Sequence, residues 1–233
     1  MADAANPAFG AKAEARVQSF VQQVYGWMAV ALAVTGIVAY AVANSEPMLR
    51  IIFGNIAVFY ALIIGELILV VVLVRRIDRM SAPAATASFI AYSVLNGLTL
   101  SAVFLAYTQG VIARAFFVAA GLFAVMTVYG FATKSDLTRI GNLLMMALFG
   151  FIIASVVNIF LQSEAFYWII TYAGVVLFVG LIAYDTQRIK KLALSGFQDG
   201  EGEHKSAIMG ALRLYLDFVN LFLLLLRIFG RRR

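Results

Sequence analysis

The stretch Ser206-Ala-Ile-Met-Gly210-Ala-Leu-Arg213-Leu-Tyr-Leu-Asp217-Phe-Val-Asn220-Leu-Phe-Leu-Leu-Leu-Leu-Arg-Ile228 decides how this chain folds. It is long enough to cross a bilayer, whose hydrocarbon core takes about 20 apolar residues in a helix. Gly210, Arg213, Asp217 and Asn220 are spaced three, four and three apart, so they form one polar stripe on an otherwise apolar cylinder. Such a stripe must meet protein or water rather than lipid. Arg213 and Asp217 suit an intrahelical pair. Yet Asp217 lies about halfway along the segment, where an ion pair kept only for structure is costly to desolvate. An acid at that depth favours a functional reading.

Working outward, six further apolar segments can be drawn, near 22–43, 51–74, 84–107, 112–132, 141–161 and 165–187, with 206–228 as the seventh. The composition agrees. The chain is 63% hydrophobic and 13% charged, against about 25% charged in soluble domains. This pattern predicts an all-α integral membrane protein, a bundle of seven transmembrane helices. An amino-terminal arm over residues 1–21 precedes a transmembrane domain over 22–233. The first apolar run exceeds a signal-peptide core and is expected to stay in the membrane. Connections are short except before the seventh segment, where Ser195-Gly-Phe-Gln-Asp-Gly-Glu-Gly-Glu-His204 reads as a mobile acidic loop.

Basic residues orient membrane helices. With the amino terminus inside, the inner loops carry Lys12, Arg16, Arg75, Arg76, Arg79, Lys134, Arg139, Arg188, Lys190, Lys191 and Lys205. The outer loops carry little beyond Arg50 and Arg114. That asymmetry predicts a cytoplasmic amino terminus. Seven full crossings then leave Arg231-Arg232-Arg233 outside, against the rule. An incomplete last crossing, a re-entrant segment or an exceptional tail would each resolve the conflict. The net charge of +6 belongs to these anchors and does not argue for nucleic acid.

Two more acids fall within apolar sequence. Asp185 sits near the inner end of the sixth segment, in Ala183-Tyr-Asp-Thr-Gln-Arg-Ile-Lys190, and Glu66 lies deep in the second. Asp185 alone reads as an interfacial residue beside Arg188 and Lys190. Together with Asp217 on the next helix, it could complete a two-carboxylate site. Two carboxylates at one site cannot both ionise cheaply, so they titrate as a unit and respond to pH. They also offer hard oxygen ligands of the kind Ca²⁺ prefers. Arg75, Arg76 and Arg79 follow Glu66, and Arg76 shares its face more closely than Arg75. Any of the three could instead snorkel to headgroups.

Other polar residues read as packing. Ser88, Tyr92, Asn96 and Thr99 share a face of the third segment, and Ser155 and Asn158 mark the fifth. Thr133-Lys-Ser-Asp136-Leu-Thr reads as a loop ending in capping residues. His204, the single histidine, reads as a solvated loop residue. The absence of cysteine excludes disulfides, thiol catalysis and thiolate metal sites.

Several of these segments together resemble the transmembrane Bax inhibitor motif family, which includes bacterial members. They are Phe20-Val-Gln-Gln-Val-Tyr-Gly-Trp-Met28, Asn96-Gly-Leu-Thr-Leu-Ser101, Tyr129-Gly-Phe-Ala-Thr-Lys-Ser-Asp136, Gly180-Leu-Ile-Ala-Tyr-Asp-Thr-Gln-Arg188 and Leu214-Tyr-Leu-Asp-Phe-Val-Asn-Leu-Phe222. The resemblance implies a last helix at the centre of the other six and a pH-sensitive Ca²⁺ leak in a bacterial inner membrane. It implies that Asp185 and Asp217 form the pH sensor, that an arginine such as Arg76 latches the closed state, and that Glu66 lies on the permeation path. Ca²⁺ would then be a permeant rather than a resident cofactor, and the partners would be lipid, Ca²⁺ and protons. A short arginine tail stands where some members of that family carry a lysine-rich one.

Two other classes compete. In one, the chain is a membrane interaction protein that modulates an inner-membrane protease or another complex, with the acidic loop and amino-terminal arm as contacts. The other is an intramembrane aspartyl protease, which a shared-proton dyad could serve. The chain lacks the Gly-x-Gly-Asp and Pro-Ala-Leu signatures of those enzymes, and no enzymatic activity is expected.

Overall fold

The computed structural model describes residues 7–230, with side-chain environments from residue 15 onward; the terminal arginine tail lies outside the described residues. Among them the chain is helical, with no strand. Its helices are α1 (Pro7–Ala43), α2 (Glu46–Phe53), α3 (Ile56–Arg76), α4 (Ala82–Ala106), α5 (Gln109–Ala132), α6 (Thr138–Leu161), α7 (Glu164–Ser195) and α8 (Gly200–Phe229), with a 3-10 turn at Ile77–Arg79. Seven of them, all but α2, are long and apolar enough to span a membrane. Hydrocarbon offers no hydrogen-bond partner, so a chain this apolar satisfies its backbone within each helix. α8, with 30 residues, measures about 45 Å at about 1.5 Å per residue. That exceeds a hydrocarbon core of about 30 Å.

The helix ends follow local chemistry. The second apolar segment, expected from residue 51, is divided. α2 closes at Gly54, and α3 starts only after Asn55, which is extended (φ −127°, ψ 107°) and accepts a hydrogen bond from Ala57 N at 3.0 Å. A polar N-cap interrupts an otherwise continuous apolar run. The loop before the last helix is also shorter than expected. Asp199 Oδ1 accepts from Gly202 N at 2.6 Å, which starts α8 at Gly200 and leaves only Gly196–Asp199 between helices. Within that short connection, the Phe197 ring packs 4.7 Å from Phe20, and Gly196 takes φ +78°, which costs glycine little.

This early helix start overturns the reading of His204 as a solvated loop residue. The imidazole is partly buried and hydrogen-bonded at both nitrogens. Gln23 Nε2 lies 3.2 Å from Nδ1, and Thr86 Oγ1 lies 2.8 Å from Nε2. Trp27 meets the ring edge-on at 5.8 Å. Next to it, Lys205 Nζ donates to the Asp78 and Met80 carbonyls at 3.3 Å each, and so fastens α8 to the turn after α3.

Packing divides the chain into two compact units. One takes the chain up to Leu105 with Ile189–Arg213; the other takes Ala106–Arg188 with the chain from Leu214 on. In the first unit, α1 and α4 meet at Gly97, where an added Cβ would lie 2.7 Å from Val38 Cβ and 2.8 Å from Thr35 O. Beside it, buried Thr35 donates to Ser93 O at 2.9 Å. Small residues and hydroxyl bonds are how membrane helices approach closely. In the second unit, Phe218 of α8 packs edge-on against Phe116 and Phe123 of α5, at 5.6 and 5.7 Å.

Burial differs sharply among the spans. The most apolar window of α8 is 67% buried, against 39% or less in every other span and none in α6. The last helix is thus the most enclosed of the seven spans. The α6 exterior, with Phe149, Phe160 and Leu161 exposed, suits contact with lipid.

Replacing Gly97 with valine is expected to lower unfolding free energy in mixed micelles by about 1–3 kcal/mol through overpacking. Gly121→Ala adds a methyl where nothing lies within 4 Å, and should be neutral or stabilising by up to about 1 kcal/mol. Equal losses in the two variants would contradict the tight α1–α4 contact.

Candidate functional site

Asp185 and Asp217 both fall in the second unit, and both are buried, at 8% and 6% exposure. The segment around Asp185 is held at three neighbouring points. Tyr184 fills the notch left by Gly141 of α6, where any Cβ would overlap its ring. Thr186 and the Ala183 carbonyl face Gly130 of α5, where a Cβ would lie 2.5 Å from that oxygen and 2.9 Å from Thr186 Cβ. Gln187 clamps the α5–α6 connection: its Oε1 accepts from Leu137 N and its Nε2 donates to Ser135 O, each at 2.8 Å. The sequence Tyr184-Asp-Thr-Gln187 is therefore a fixed mount for one carboxylate. Within the loop that Gln187 holds, Asp136 Oδ1 accepts from Thr138 N at 2.9 Å, the capping chemistry its sequence suggested.

Asp217 is set on the most buried helix between Tyr215, fully buried, and Phe218 in its aromatic cluster. Asn220, one turn on, donates its amide to Leu216 O at 2.8 Å. Arg213 is half-buried one turn before Asp217.

Glu66 occupies a second polar site, in the first unit. Its Oε1 accepts from Thr99 Oγ1 at 2.7 Å and its Oε2 from Asn96 Nδ2 at 3.3 Å. Asn96 and Thr99, expected only to pack helices, are thus the donors that hold a carboxylate within the membrane span. Two donors are a partial substitute for the lost hydration. Tyr92, on the same face of α4, is buried beside them. Arg75, Arg76 and Arg79 lie exposed at the end of α3 and its following turn.

The chain matches the family described as inhibitor of apoptosis-promoting Bax1 over residues 17–233, which includes all of these sites. It belongs to that family. Among the relatives of this Bax inhibitor-1 chain, the inner membrane protein YbhL of Escherichia coli K12 is 50% identical over 220 residues, covering 94% of each chain. Uncharacterized proteins of Borreliella burgdorferi and Deinococcus radiodurans are 43% and 42% identical, each covering 92% or more of this chain. It is an integral membrane protein of the Bax inhibitor-1 family.

Among the described residues, no group of three or more His, Asp or Glu side chains gathers to hold a metal.

One structural feature escaped the sequence reading. A cavity of about 1200 Å³ opens among the last turns of α6 and α8 and the first turns of α7, lined by Ser155, Asn158, Glu164, Tyr167 and Arg227. The Arg227 guanidinium lies 5.5 Å over the Tyr167 ring, a cation–π contact. The signal was available: 210, 213, 217, 220 and 227 keep the spacing of the α8 stripe, with position 224 as its missing member.

Replacing Gln187 with leucine leaves Leu137 N–H and Ser135 C=O without their partner. We expect a stability loss of about 1–3 kcal/mol and amide exchange at Leu137 faster by at least about tenfold. Unchanged exchange there would mean that Gln187 does not hold the loop.

Proposed function

We propose that this protein is a pH-sensitive, Ca²⁺-permeable leak pathway of the bacterial inner membrane, with Asp185 and Asp217 as its sensor. The observation that carries the reading is two buried carboxylates in one compact unit of a membrane-spanning bundle. Acids at such depth mark ion and proton pathways more often than packing. Asp185 is mounted rigidly by Tyr184, Thr186 and Gln187, so a change of charge cannot be absorbed by moving its own segment. The response would fall on the helices around it, as a shift between closed and open populations.

Glu66, held by Thr99 and Asn96, supplies a second oxygen-lined station for the cation. Arg76 supplies the latch charge in this reading. The inner-membrane location rests on the name of the Escherichia coli relative, and the inward amino terminus on the asymmetry of basic residues.

The test is Ca²⁺ flux into liposomes containing the purified protein, between about pH 6 and 8, where a coupled carboxylate pair can respond. Wild-type flux should vary with pH. Asp185→Asn and Asp217→Asn should each flatten that dependence, and Glu66→Gln should lower the flux at every pH. A pH response that survives in both aspartate variants would overturn the sensor. No flux above empty liposomes at any pH would instead favour a membrane interaction protein.

A further inference from the structure

The polar stripe of α8 runs through Gly210, Arg213, Asp217 and Asn220 and resumes at Arg227. The one large apolar residue in that register is Leu224, which is 3% exposed. Its side chain lies in a notch made by Gly174 of α7. A Cβ added there would fall 2.8 Å from Leu224 Cδ1 and 2.6 Å from Phe151 Cε2 of α6. Phe151 in turn stands edge-on to buried Phe178 of α7, at 5.8 Å and 90°. Three helices thus bring apolar groups together at one level.

That level has polar residues on both sides. On α6, Phe151 precedes Ser155 and Asn158; on α7, Gly174 follows Glu164 and Tyr167; on α8, Leu224 precedes Arg227. In each helix the second group lines the cavity. On the other side of Leu224 lie Asn220 and Asp217. Inside the cavity, Asn158 Oδ1 is buried and accepts no hydrogen bond from the protein. A cavity that carries polar and charged side chains and a polar stripe, separated by one apolar layer, form the arrangement of a pore closed by a hydrophobic constriction, which blocks ions by excluding water.

We propose that Leu224, seated against Gly174 and Phe151, is the gate between this cavity and the Asp217–Asn220 stripe. The inference deepens the leak reading and rests on it for the identity of the ion. The water barrier itself can be tested separately. Leucine excludes water from the layer by its side chain alone, so a polar residue of similar size should wet it. The glycine is required because any side chain at position 174 would displace the two groups that meet there.

The experiment uses two readouts on the full chain in liposomes. The first is Ca²⁺ flux, which Leu224→Asn should raise at least about tenfold at the pH where wild-type flux is smallest, as expected when an apolar constriction is wetted. Leu224→Met should leave it unchanged. The second exploits the absence of cysteine. Ser155→Cys, in the cavity, should react with a cationic methanethiosulfonate reagent in either background. Asp217→Cys should react only when Leu224→Asn is also present. Phe151→Asn opens the same layer from α6 and serves where Leu224→Asn does not fold. Equal labelling of Asp217→Cys with and without the opening substitution overturns the gate. Absent wild-type flux with gate-dependent labelling overturns the leak and leaves the gate standing.

Discussion

Hydrocarbon can neither solvate a charge nor hydrogen-bond a backbone, and every notable arrangement in this protein answers that constraint. The backbone answers it by remaining helical through seven spans. The charges answer it by position. The exposed basic residues of α3 sit at its end, whereas Asp185, Asp217 and Glu66 lie within spans. Of these, Asp185 and Asp217 are shielded almost completely, and Glu66 is held by two side-chain donors. The helix with the most polar stripe is also the most buried, because no lipid-facing orientation exists for it.

Close packing then converts position into mechanism. Gly130 and Gly141 let α5 and α6 approach α7 on either side of Asp185, so that its neighbours are wedged rather than merely covered. In the proposed leak, such a mount would pass a change of charge to the surrounding helices. Gly174 serves a different purpose in the same unit. It admits two apolar side chains, Leu224 and Phe151, from the neighbouring helices. In the proposed leak, the wedged acid and the apolar layer would be complementary parts of one path.

Much of this was legible in the residues. The apolar runs marked the seven spans, the three-four spacing on α8 marked a buried stripe, and Asp185, Asp217 and Glu66 stood out because acids are rare in hydrocarbon. Less visible were relations between helices. Asn96 and Thr99 looked like packing residues because their partner, Glu66, is on another helix. His204 looked solvated because its acidic neighbours dominate locally, yet one cap from Asp199 places it in α8, where Gln23, Thr86 and Trp27 surround it. Arg227 drew no notice in the sequence, because the cavity it lines is formed by three helices.

Sequence alone determined the class of this protein, the number of spans, the family and the depth of its acids, because hydropathy and helical period are local properties of the chain. Tertiary structure alone decided what each polar residue serves. Whether a threonine packs a helix or holds a carboxylate, and whether a leucine faces lipid or fills a glycine notch, depends on which helices meet at that level. That meeting is set by small residues such as Gly97, Gly141 and Gly174, whose significance lies in the side chains that enter the space they leave.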